Sequence, residues 1–317
     1  MKIIVTDCDH AAMDQENAVF EKEGLTYDMV QCKTEEDLIE KCKGYQIAIN
    51  QYAPFTRKVL QALAPELRQI VRYGVGVNNV DVAAATEFGV QVCNVPDYGM
   101  NEVADQAVSM LLALWRKVCL MDRYTKEEKW EYARAIPIHR IPGRTVGIYG
   151  LGRIGRTFAK RMKGFDVELI ACDPMMEPGS SVDGVDIVSF DTLLEKSDAI
   201  SIHSPLNEET RGKFNLAAFE KMKADAVLIN TARGGIIREA ELYTALSTGM
   251  IGACGLDVVE QEPMRPGSPL FGLENFICTP HIAWYSEEAA RELKQKVAEE
   301  AARFAKGEKV SYPVNLL

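Results

Sequence analysis

No stretch of this 317-residue chain is apolar for long enough to cross a bilayer, so no membrane-spanning helix and no membrane partner are expected. Positive charge is in deficit. The net charge is -10, and an acidic surface repels phosphate backbones, so a direct nucleic-acid partner is not expected either. Histidine is scarce. The four present, His10, His139, His203 and His281, never stand at i, i+4, and no metal site is expected from them. The eight cysteines contain no C-x-x-C pair and most lie in apolar runs, which favours free buried thiols in a reducing cytoplasm over disulfides. Met1–Asp7 reads at once as a strand, not as a charged-then-apolar export signal, and a cytoplasmic location is the expectation. Internal repeats and low-complexity segments are missing as well.

What is present is apolar sequence in short, regular blocks. At 47% hydrophobic the chain can fill about two cores, with roughly 100–200 residues for each domain. Ile3–Thr6, Ile47–Ile49, Ile70–Arg72 and Val90–Val95 read as buried strands. Helical stretches separate them, such as 34–43, opened by the capping box Thr34-x-x-Asp37. Such alternation builds a parallel sheet with helices on both faces. From Asn101 to about Leu120 the apolar residues Val103, Ala107, Met110, Leu111 and Leu114 recur at helical spacing. Thr125–Arg140 is then too polar for a core, yet it carries Trp130, Tyr132 and Ile136. We read 101–140 as a homodimer interface with an arm that grips a second copy; the alternative is a loop covering its own domain. A second α/β set begins at Thr145-Val146-Gly147-Ile148-Tyr149, with strands near 167–172, 186–190, 198–202, 226–231, 251–258 and 275–279. A last amphipathic helix, Ser286 to about Lys306, is expected to return to the first set. The domains are then 1–97 with 286–317, and 98–285 inserted between them.

Gly150-Leu151-Gly152-Arg153-Ile154-Gly155 is a G-x-G-x-x-G, a weak pattern alone. Here it follows a strand and opens a helix, the context in which it binds a dinucleotide. Gly150 permits the tight turn, Gly152 the approach of a pyrophosphate to the helix N-terminus, and Gly155 close helix–strand packing. Arg153 and Ile154 line the pyrophosphate from the helix start. The next strand ends at Asp173, 18 residues beyond Gly155. A carboxylate there accepts hydrogen bonds from both ribose hydroxyls and repels a 2′-phosphate. Pro174-Met175-Met176-Glu177 supplies no cation to offset one. The cofactor is therefore expected to be NAD and not NADP.

Three charged residues follow strands in this half: Arg233 in Asn230-Thr231-Ala232-Arg233-Gly234-Gly235, Glu262 in Asp257-Val258-Val259-Glu260-Gln261-Glu262-Pro263, and His281 in Thr279-Pro280-His281. Ligands of open α/β sheets bind beyond the carboxyl ends of strands. Reduction of a 2-oxo acid needs these types. A planar cation holds the carboxylate or carbonyl (Arg233), and a proton donor serves the developing alkoxide (His281). An opposite charge orients the donor and favours its protonated form (Glu262). Taken singly, each has a plainer reading: a helix cap, a packed core residue or a surface charge. In the first domain, the amides of Val75 and Gly76 in Tyr73-Gly74-Val75-Gly76 form a small anion nest suited to a carboxylate, or an ordinary strand-to-helix turn. Tyr52, Tyr73, Trp284 and Tyr285 are candidate walls for the rest of the substrate. Arg72 should alternate in facing with Tyr73, so at most one reaches the cleft, and Arg57 lies on a helix expected over 56–63. An uncharged, mid-sized, apolar 2-oxo acid is therefore expected, with phosphoglycerate or glyoxylate/hydroxypyruvate specificity as the alternative. If the aromatics are core instead, a small substrate such as glyoxylate or pyruvate is favoured.

The segments at 150–155, 230–235, 255–263 and 279–281 together resemble the D-isomer-specific 2-hydroxyacid dehydrogenase family along nearly the whole chain. The resemblance implies a Rossmann NAD domain inserted in a discontinuous flavodoxin-like substrate domain, both doubly wound, and an intertwined dimer. It implies Arg233, Glu262 and His281 in the roles argued above. Asp257 falls near the nicotinamide carboxamide, and His203, Pro205, Thr231 and Ala232 along the cofactor. Ile277 to Glu287 is most similar to the C-terminal-binding-protein branch, which includes NAD-sensing corepressors. An intact acid, base and cation set favours an enzyme over a sensor.

Overall fold

Short β-branched runs build the first sheet. The strands are β1 (Ile3–Val5), β2 (Tyr27–Met29), β3 (Ile47–Asn50), β4 (Gln69–Arg72) and β5 (Gln91–Cys93), all parallel in the order β2-β1-β3-β4-β5. β1 and β3 are buried at every position, as expected for strands covered on both faces, whereas the edge strand β2 is largely exposed. The covering helices include α1 (Asp14–Lys22), α2 (Glu35–Lys41), α3 (Arg57–Leu63) and α4 (Val82–Glu87). α2 starts at the reciprocal capping box of Thr34 and Asp37. The computed structural model describes residues 1–10 and 12–317. The chain divides into two compact units, Met1–Gly99 with Ser286–Leu317, and Met100–Tyr285.

The second unit opens with α5 (Met100–Trp115) and α6 (Val118–Lys126). The strands β6 (Thr145–Tyr149), β7 (Glu168–Cys172), β8 (Ser181–Val182), β9 (Val185–Ile187), β10 (Ala199–Ile202), β11 (Val227–Asn230), β12 (Ala253–Leu256) and β13 (Phe276–Cys278) follow. They lie in the order β13-β12-β11-β10-β6-β7-β9-β8, parallel except for the β8–β9 pair. From β6 the winding runs outward in both directions, so the carboxyl ends of β6 and β10 flank the switch point of a Rossmann sheet. Around the sheet stand α5, α7 (Arg153–Met162), α8 (Phe190–Lys196), α9 (Leu216–Phe219) and α10 (Glu239–Ser247). The last helix, α11 (Glu287–Ala305), belongs to the first unit and packs on α1; the Ser286 hydroxyl caps it by accepting the Ala289 amide at 2.9 Å.

Local structure differs from expectation in two places. The long helix does not run on to Leu120. It breaks after Trp115, where Lys117 takes φ 53°, and α6 starts anew. The strand expected over 186–190 stops at Ile187, because the Ser189 hydroxyl accepts the Thr192 amide and starts α8. The apolar stripe of α5, Ala104, Ala107, Met110, Leu111 and Leu114, is buried within its own unit. Those five residues are therefore intrachain core, while Val103 on the same helix is only half-buried. All eight cysteines are free, with Cys119 and Cys278 exposed. Among the described residues no helix is long and apolar enough to cross a membrane, and no group of His, Cys, Asp and Glu could hold a metal ion.

Candidate active site

The glycine turn at the end of β6 is dictated by its neighbours. Gly150 has φ 97°, and a Cβ there would lie 2.5 Å from the Ser204 hydroxyl and 2.8 Å from its amide. A Cβ on Gly155 would collide with the Gly150 carbonyl, so only glycine lets α7 start this close to the strand. Gly152 meets nothing within 4 Å and leaves open space at the N-terminus of α7, beside exposed Arg153 and half-buried Ile154. The Asp173 carboxylate closes the arrangement. One oxygen accepts the Leu151 amide at 2.8 Å and the other the Met175 amide at 2.9 Å. Each oxygen keeps a lone pair for a further donor.

Two buried polar atoms near this turn lack partners: the Thr231 hydroxyl beyond β11 and Nδ1 of His203 beyond β10. Burial pushes His203 down to about 3, so the ring is neutral; its Nε2 lies 2.9 Å from the Ser201 hydroxyl and its ring packs at a tilt of 46° against Phe158. Pro205 follows at the surface. Open space over Gly152, an anchored carboxylate and orphaned polar atoms along the strand ends together fit a dinucleotide.

The three charged residues come together in this unit. His281 Nδ1 lies 2.7 Å from Glu262 Oε2. Burial alone would raise the Glu262 carboxyl; the hydrogen bond and charge of His281, the Val259 amide and the charge of Arg233 override it and hold the group below its ordinary range. Arg233 leaves β11 in extended conformation. The Asn230 side chain ties its turn, accepting the Ala232 amide at 3.0 Å and donating to the Arg233 carbonyl at 2.9 Å. His281 itself has φ 55°. A left-handed non-glycine residue costs about 1–2 kcal/mol and needs surroundings that impose it.

Asp257 imposes it. The side chain is 2% exposed and accepts the Thr279 hydroxyl at 2.6 Å and the amides of Ile282 and Ala283 at 3.0 and 2.9 Å; the Asp257 carbonyl takes the His281 amide at 2.8 Å. The sequence assigned Asp257 to the cofactor, whereas the structure turns its carboxylate into the loop that carries His281. Sequence reasoning missed this anchoring because loop amides leave no trace in residue types.

In the first unit the aromatic expectation needs correction. Tyr73 is 2% exposed, and its hydroxyl donates to buried Glu16 at 2.9 Å, so it is core and not a pocket wall. The preceding residue, Arg72, lays its guanidinium against Gly74, which has φ 124°, and its charge reaches the Tyr52 phenol. Strand alternation is the signal that turns half-buried Arg72 to the face opposite Tyr73. Val75 is exposed and Gly76 half-buried. Tyr52 is exposed on a loop held by Asp7, which accepts the amides of Gln51, Tyr52 and Ala53. In the second unit, half-buried Trp284 packs edge-on against Tyr285. Arg57, another cation near the start of a helix, is paired with Glu87.

Residues 108–283 match the D-isomer specific 2-hydroxyacid dehydrogenase, NAD binding domain, family profile. The chain is 40% identical over 297 residues to a D-3-phosphoglycerate dehydrogenase of Archaeoglobus fulgidus, covering 93% of this chain but only 56% of that longer protein. It is 38% identical over 285 residues to a glyoxylate reductase of Korarchaeum cryptofilum, covering 88% of this chain and 85% of that one. An NAD-dependent formate dehydrogenase from Staphylococcus aureus, solved in complex with NAD, superposes with a TM-score of 0.89 at 28% identity, covering 100% of this chain and 99% of that one.

Proposed function

Because the chain belongs to the D-isomer-specific 2-hydroxyacid dehydrogenase family, a class of NAD-dependent oxidoreductases, we propose that it reduces small 2-oxo acids with His281 as proton donor. The contact of His281 with Glu262 at 2.7 Å carries this reading. With Nδ1 held by the carboxylate, Nε2 is the ring nitrogen left to deliver a proton to the substrate oxygen. Arg233 offers its planar fork to the carboxylate or carbonyl. Bound at Gly150, Gly152, Arg153, Ile154, Gly155 and Asp173, with Thr231, Ala232, His203 and Pro205 along its length, the nicotinamide dinucleotide supplies the hydride that C2 receives. No protein nucleophile is needed.

For the substrate, we assign the amides at Val75 and Gly76, with Gly74 between them and Arg72, to anion recognition and Tyr52 to side-chain contact. The withdrawal of Tyr73 into the core removes one aromatic wall, and Arg72 adds a cation that an apolar side chain does not use. The first favours a small acid such as glyoxylate or hydroxypyruvate over the mid-sized apolar acid expected from sequence; the second favours a polar or anionic substituent, as in hydroxypyruvate or its phosphate. The test is kcat/KM for glyoxylate, hydroxypyruvate, 4-methyl-2-oxopentanoate and phosphohydroxypyruvate, each with NADH and with NADPH. We expect one of the first two to lead, with NADH at least about tenfold better than NADPH, since Asp173 repels a 2′-phosphate and leaves ribose hydrogen bonds unmade. Equal efficiency with both nucleotides removes the Asp173 assignment. No NADH oxidation with any of the four acids removes the functional reading.

The same unit is proposed to pair two copies of the chain through residues 118–136. Trp130 and Tyr132 are 88% and 82% exposed in the single chain, an arrangement that costs solvation unless another surface covers them. Sedimentation at sub-micromolar concentration should show a dimer. A monomer there, with Trp130 emission unchanged on further dilution, rejects the pairing.

A further inference from the structure

Glu239 opens α10, five residues after the turn that carries Arg233. The residue before it, Arg238, makes no side-chain cap, and Glu239 stands in the acidic first turn. It reaches across to accept the Glu260 amide. Glu260 is two residues ahead of Glu262, on the segment that leaves β12. The same peptide is packed against Gly234, where an added Cβ would lie 2.5 Å from the Glu260 nitrogen and collide with the Val259 carbonyl. The Val259–Glu260 peptide, ahead of Glu262, is thus held by close packing on Gly234 and by a hydrogen bond to the Glu239 carboxylate.

The geometry points to Glu239 as a positioning residue that keeps Glu262 in register with Nδ1 of His281 through the Glu260 amide. This rests on the reading of His281 as proton donor. The groups that bear on Glu239 are Glu260 and Glu262 from the loop after β12, Cys254 of β12 and Cys278 of β13, with no cation among them. Burial first, and then the two carboxylates, raise its pKa. A glutamine at 239 keeps an oxygen acceptor for the Glu260 amide but carries no charge, whereas alanine removes the acceptor.

The experiment compares wild type, Glu239→Gln, Glu239→Ala and His281→Asn in pH profiles of kcat for 2-oxo acid reduction. NADH binding by fluorescence and thermal melting are measured on each. Glu239→Ala should lose between about 10- and 100-fold in kcat, the scale of a misplaced catalytic group. Its alkaline limb should move to lower pH, with NADH affinity within about threefold of wild type. Glu239→Gln should recover kcat to within about threefold. If Glu239→Ala lowers only the melting temperature and leaves kcat and the limb in place, the residue is merely structural and the inference falls. If Glu239→Gln is as impaired as alanine, the charge and not the held amide matters, and the inference falls as well. If His281→Asn reduces substrate at the wild-type rate, the donor assignment itself has failed, independently of anything at position 239.

Discussion

Replacing His281 with asparagine lowers kcat for reduction by about 10²- to 10⁴-fold, the range that a positioned general acid contributes, while NADH still binds. Asparagine tolerates the left-handed backbone found at φ 55°, so the variant tests the proton and not the loop. The companion variant, Glu262→Gln, changes the pH dependence in a definite direction. Reduction needs the ring protonated, so activity falls as pH rises. The hydrogen bond and charge of His281 help hold the Glu262 carboxyl below its ordinary range, and that carboxylate lies 2.7 Å from the ring. With a neutral amide in place of that carboxylate, the alkaline fall in kcat is expected to move to lower pH. For the reverse oxidation the active ring is neutral, activity rises with pH, and that rise should also move to lower pH. A His281→Asn enzyme within threefold of wild type, or a Glu262→Gln profile that does not move, contradicts the assignment.

The second large effect is expected at Arg233. Alanine there should lower kcat/KM by about 10²- to 10³-fold, the loss seen when a donor to developing negative charge is removed. Lysine should recover only part, because one ammonium cannot reproduce two parallel N–H bonds to a carboxylate. The turn should survive both changes, since Asn230 ties it through its own side chain and main-chain groups. NADH binding separates loss of substrate contact from loss of the fold. An Arg233→Ala enzyme with kcat/KM close to wild type shows that the cation serves only to depress Glu262.

The sequence made legible what depends on local chemistry. The glycines at 150, 152 and 155, the strand that precedes them and Asp173 are neighbours along the chain, and their spacing fixes their geometry. The Thr34–Asp37 box is legible for the same reason. Arg233, Glu262 and His281 could be placed at strand ends from the alternation of elements, although the contact of Glu262 with His281 and the nearness of Arg233 needed the sheet order β13-β12-β11. What stayed hidden depends on partners far along the chain. Tyr73 looked like a pocket aromatic because nothing near it reveals Glu16, 57 residues away, as the acceptor of its hydroxyl. Once that bond turns Tyr73 inward, strand alternation hands the outward position to Arg72. Asp257 and Glu239 were obscure for a different reason. Both act on backbone amides, which every residue possesses, so composition gives no hint of which amide a carboxylate will hold.

The two-residue strand β8 folds back antiparallel on β9 through the turn at Asp183 and Gly184, so the outer rim of the eight-stranded sheet is a short reversed ribbon and not a long parallel strand. A parallel rim would offer a row of unpaired amides and carbonyls as a template on which another chain could add. Here only Ser181 and Val182 lie at the rim, next to the exposed carboxylates of Asp183 and Asp186. Two residues are too few to seed a ladder, and the turn beside them is occupied by the side chains of Arg156 and Lys163, which bind Asp183. The same hairpin therefore protects the enzyme against edge-to-edge self-association when it is concentrated.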